Sequence, residues 1–116
     1  MRVRITSVDY APDELYEQTP FEAVLLREIP GPDRPDYWLA ALPEPIRWLR
    51  NGVGISVRHL VLAARWEGTR ISRGMSNMPV GIAYVVDESV LEDAKLDFGK
   101  CEYVAIGVAD EILEAA

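Results

Sequence analysis

The strongest constraint on this chain is a two-residue periodicity of apolar side chains, clearest in residues 55–66, 80–87 and 102–109. Successive side chains of a strand point to opposite faces, so such runs read as β-strands rather than helices. In the first, Leu60, Leu62, Ala64 and Trp66 share one face, and Val57, His59, Val61 and Ala63 share the other. Both faces are apolar in the middle, which marks a central strand. In the second, Val80, Ile82, Tyr84 and Val86 form a bulky face opposite Gly81, Ala83 and Val85. The third sets Val104, Ile106 and Val108 against Tyr103, Ala105, Gly107 and Ala109. Two strands with a glycine–alanine stripe predict a sheet face that admits something close: a helix, a second sheet or a ligand.

The rest of the chain extends this pattern. Val3 and Ile5 alternate with Arg2, Arg4 and Thr6 in a half-exposed first strand, and residues 21–29 read as another. Between them, "APDELYEQTP" is a helical turn or a loop. "PGPDRP" is too proline-rich for regular structure. Residues 37–42 are strand-like until Pro43 and Pro45 break the run, and 46–50 is then a second short strand or a short helix. Asn51–Gly52 signals a hairpin, because both residues tolerate positive φ. Residues 67–78 read as a long loop, 88–95 as a short helix capped by Asp87, and "ADEILEAA" as a terminal helix. The expectation is an α+β fold in a single domain, 1–116: a mainly antiparallel β-sheet of five to seven strands with one or two short helices on one side.

Charge narrows the function. The net charge is −7, yet residues 46–75 hold six arginines against Glu67 alone, while the segments on either side are acidic. Phosphate backbones repel such a protein, so nucleic acid is not an expected partner, and a basic macromolecule is. No apolar run approaches the roughly 20 residues of a membrane span, and the N-terminus has no secretory apolar core. A lone cysteine, Cys101, agrees with a reducing cytoplasm.

Motifs for chemistry are sparse. His59 has no orienting carboxylate or nucleophile at a local spacing, so it reads as structural before catalytic. One histidine and one cysteine, with no HExxH or CxxC, predict neither metal nor cofactor. Cys101 lies between Lys100 and Glu102, whose effects on a thiol oppose each other. "NGVGIS" lacks the lysine and spacing of a phosphate loop. The richest stretch is "RWEGTRISRGMSNMP": Arg65, Arg70 and Arg73, joined by His59, are the candidate ligands for a small anion in an alternative reading as a ligand-binding domain or small enzyme. Tyr37, Trp38, Trp48 and Trp66 cluster in sequence as core residues or interface anchors.

The stretches "RPDYWLAALPEPIRW", "HLVLAARWEGTRI", "MPVGIAYVVDESVL" and "LDFGKCEYVAIGVADE" look like those of small bacterial proteins. In size, acidity and lack of a catalytic motif, the whole chain resembles bacterial immunity proteins. That resemblance implies stoichiometric, non-enzymatic neutralisation of a toxin in the cytoplasm. Immunity proteins share no motif, so it carries over no residue. Acidic segments would then steer a basic toxin domain, with Asp13, Glu14, Glu17, Glu88, Glu92 and Asp93 as the partner-binding residues. A homodimer is a further possibility, requiring a large apolar patch.

Overall fold

A computed structural model describes residues 1–113. The strands are β1 (Arg2–Asp9), β2 (Phe21–Ile29), β3 (Tyr37–Arg50), β4 (Val53–Ala64), β5 (Met78–Val85) and β6 (Cys101–Glu111). Helix α1 (Asp13–Gln18) joins β1 to β2, and two 3-10 turns, Glu88–Glu92 and Phe98–Lys100, lie between β5 and β6. Each strand pairs antiparallel with its chain neighbours, and β1 pairs with β6, so the six close into a barrel. The expected sheet is therefore a ring without ends. Closure satisfies the backbone groups that an open sheet leaves at its edges.

Irregularities in the ladders accompany this curvature. Thr6 is an extra residue between Ile5↔Ala109 and Ser7↔Val108, Leu26 between Leu25↔Ala40 and Arg27↔Leu39, and Val104 opposite Ile82/Ala83. In β3, residues 42–45 stand opposite Arg58 alone. Bulges bend a strand and increase its twist. They also shift the side-chain phase, which corrects several sequence expectations. Pro43 and Pro45 widen one continuous strand instead of ending it. Val57 joins Leu60 and Leu62 in the interior, while Trp66 leaves that face and is 54% exposed. Beyond the Val104 bulge, Ala105 and Ala109 pack inside, and Ile106 and Val108 are only partly buried. The terminal helix is replaced by β6 running to Glu111; residues 114–116 lie outside the described residues.

Large side chains fill the barrel, including Ile5, Leu60, Leu62, Ile82 and Tyr84, with Trp48 edge-on to Tyr84 at 5.0 Å. The Tyr84 hydroxyl is buried, and burial raises its pKa. Gly107 is needed where β6 meets β1, since a Cβ there would stand 2.8 Å from the Ser7 carbonyl oxygen and 3.0 Å from Ile82 Cδ1. Asn51 and Gly52 both have positive φ, as the hairpin signal requires.

The helices do not share one side. Helix α1 buries Leu15 in the main core and lies against β3 and β1. Residues 86–100 form a strap outside the barrel, where Val90 and Leu96 pack on Ile29, Leu39, Val61 and Val85. Asp87 caps the first 3-10 turn as expected, accepting from Ser89 N–H at 3.0 Å. Arg27 ties the strap down by donating to the carbonyls of Leu91 (3.0 Å) and Asp93 (2.6 Å), and Leu96 N–H donates to Pro30. No described helix is long and apolar enough to cross a membrane.

Candidate binding groove

The glycine–alanine stripe of β5 faces outward. Bulky Val80, Ile82 and Tyr84 take the interior, leaving Gly81 and Ala83, with Val61 and Ala63 of β4, as the floor of an open cavity of about 720 Å³. Its walls come from distant parts of the chain. Tyr103 stands at the start of β6 and Phe98 in the second 3-10 turn; Tyr37 opens β3 and Tyr10 follows β1. Tyr10 is 81% and Tyr103 65% exposed, and Phe98 packs edge-on to Tyr37 at 5.7 Å. A cleft of a few hundred Å³ with apolar walls and few polar groups is the usual form of a binding site.

Polar groups at the rim are largely committed to holding its shape. Arg34 forks onto Asp36 (2.6 and 2.9 Å) and donates to the Ala64 carbonyl at 2.7 Å. This pairing lowers the pKa of Asp36 and raises that of Arg34. The Tyr37 hydroxyl donates to Asp33 at 2.7 Å; burial first, then that bond, raises its pKa. Gly31 makes room for the ring, since a Cβ there would lie 2.4 Å from Tyr37 Cε2. Arg65 stacks on Trp66, 4.4 Å from the ring centroid. Cys101 also lines the groove, but burial and Asp97 push its thiol up to about 11, so it is protonated at neutral pH. The arrangement is suited to grip an apolar or aromatic surface; none of these groups is poised as a nucleophile or base.

The four candidate anion ligands are dispersed. Only Arg65 lines the groove. His59 lies under the strap, with Nδ1 2.6 Å from Glu88 Oε2 but without the alignment of a hydrogen bond. Arg70 approaches Glu28 (3.8 Å) and Asp36 (3.9 Å), and Arg73 approaches Glu111 (3.5 Å). Among the described residues no group of three or more histidine, cysteine or carboxylate side chains is placed to hold a metal ion.

The six acidic candidates fall on two elements. Asp13, Glu14 and Glu17 belong to α1; Glu88 and Glu92 belong to the first 3-10 turn, which Asp93 ends. Glu14 accepts from Leu49 N–H at 3.1 Å, Glu88 meets His59, and Asp93 pairs with Lys100 at 2.7 Å. Asp13, Glu17 and Glu92 are exposed and make no side-chain hydrogen bond or ion pair among the described residues.

Tyr10, Phe98 and Tyr103 are the groove residues that sequence reasoning missed. Tyr103 had one visible signal, a large ring in the phase of Ala105 and Gly107. The sequence aromatic cluster separates: Trp48 is core, Trp38 packs against the core half-buried, Trp66 is exposed and Tyr37 walls the groove. No protein-family model, curated protein or solved structure matches this chain.

Proposed function

We propose that the protein is a non-enzymatic binding protein of the immunity type, which neutralises a toxin by gripping a basic, apolar-tipped segment of it in the outer groove. One observation carries this reading: the largest cavity is an open, aromatic-walled trough on the barrel surface, and the acidic strap forms part of its wall through Leu96 and Phe98. Large aromatic residues supply most of the energy of protein interfaces, while charges around them set encounter rate and orientation. Asp33 at the rim and Asp97 beside Phe98 give the trough the sign that a basic partner needs. Glu92, farther along the strap, and Asp13 and Glu17 on α1 add long-range attraction.

The test is co-expression with the toxin encoded beside its gene. The wild-type protein restores growth, and the Phe98→Ala/Tyr103→Ala variant, folded by circular dichroism, does not. Reversing Asp13, Glu17 and Glu92 to lysine slows association with the purified toxin and flattens its salt dependence. Full rescue by the aromatic double variant overturns the groove as the binding site. A metabolite anion that raises Tm through Arg65 favours the ligand-binding alternative.

A further inference from the structure

Closing the ring removes most sheet edges, but one remains. The β4–β5 ladder begins at Leu60↔Tyr84, whereas β4 pairs with β3 from Arg50↔Val53 onward. Residues 53–59 therefore have a strand on one side only, and among the described residues no backbone bond from another segment reaches them. The other half of this hairpin is treated differently. The Gln18 carboxamide accepts from Arg47 N–H (2.7 Å) and donates to Arg47 C=O (2.9 Å), and Glu14 accepts from Leu49 N–H. Side chains of α1 thus stand in for a neighbouring strand along β3. The β4 edge has no such cover: Val53, Gly54, Ser56 and Arg58 are exposed. A Cβ on Gly54 would meet nothing within 4 Å, and its cross-strand neighbour Leu49 is 59% exposed.

Charge identifies the occupant. Residues 46–58 contain Arg47, Arg50 and Arg58 and no acid, in a chain of net charge −7. Arg50 is engaged by Glu102 at 3.2 Å; Arg47 and Arg58 have no ion pair among the described residues. We propose that the free edge of β4, residues 53–58, docks an extended acidic segment of another protein, which adds as a strand and sets carboxylates against Arg58 and Arg47. Backbone hydrogen bonds supply affinity in this mode and alternate side chains supply selectivity. An apolar residue of the incoming strand covers Leu49 across the space above Gly54. A second copy fits worse, because edge-to-edge pairing would bring two basic hairpins together. The surface is independent of the groove, which no residue of 46–58 lines.

The experiment uses a soluble peptide alternating glutamate with valine and threonine, its lysine counterpart, and the glutamate peptide methylated on one alternating set of amide nitrogens. The glutamate peptide binds, more weakly as salt rises, and slows amide exchange at residues 53–58. The lysine peptide binds at least about tenfold more weakly, and amide methylation abolishes binding. Arg47→Glu with Arg58→Glu inverts the preference without changing the urea midpoint, since both side chains are exposed. Absent binding, equal binding of both peptides, protection at Phe98 and Tyr103, or self-association that protects 53–58 without peptide each overturns the proposal.

Discussion

The outer wall of the barrel is treated in two ways. Over β2, β3 and β4, the strap buries Ile29, Leu39, Val61 and Val85 under Val90 and Leu96. A few ångströms along the same surface, Gly81 and Ala83 are left beneath an open trough, with Tyr103 and Phe98 standing exposed at its sides. Both halves are apolar, so hydropathy does not distinguish them. The covered half is lined by branched side chains that give a second small core. The open half is floored by residues too small to attract a strap, and its large rings stand upright around it. Burial of the first stabilises the fold; exposure of the second leaves apolar area for a partner.

Four substitutions test that division, in decreasing order of effect. Leu96→Ala, which leaves a void beneath the strap, lowers unfolding free energy by about 2–4 kcal/mol in urea and weakens groove binding too. Arg27→Ala removes the donor to two strap carbonyls and costs about 1–2 kcal/mol; amide exchange accelerates in 86–100 more than in the barrel. Asp36→Asn acts on the opposite wall. Its pKa is depressed in the folded state by Arg34, so its contribution is present above the unfolded value and is lost as pH falls through the folded one. The wild type therefore loses stability below about pH 4, and the variant lacks that part of the loss in acid titration of Tm. Tyr103→Ala changes unfolding free energy by less than about 0.5 kcal/mol while abolishing partner binding. A cost above about 1 kcal/mol at Tyr103 would make its ring part of the scaffold and erase the distinction.

Period-two alternation located most strands of this molecule, and local chemistry marked two of its corners, Asn51–Gly52 and the Asp87 cap. The features that stayed hidden depend on distance along the chain. Pairing of β1 with β6 joins the first strand to the last, and alternation looks the same in an open sheet and a closed one. The extra residues Thr6, Leu26 and Val104 have no distinctive side chains, yet each moves the later residues of its strand to the opposite face. That is why Ile106 faces outward and Ala105 inward. The groove was half legible: its floor in Gly81 and Ala83, but not its walls, which Tyr10, Tyr37, Phe98 and Tyr103 bring from separate connections.

The seam between the first and last strands also sets the timing of folding. While the ribosome is still making the chain, β1 has β2 on one flank and nothing on the other, and β5 waits in the same state. Only when β6 emerges can both vacancies be filled in one step. A nascent chain stalled before that point offers two sticky flanks to its neighbours, so holding chaperones matter most in the last moments of synthesis.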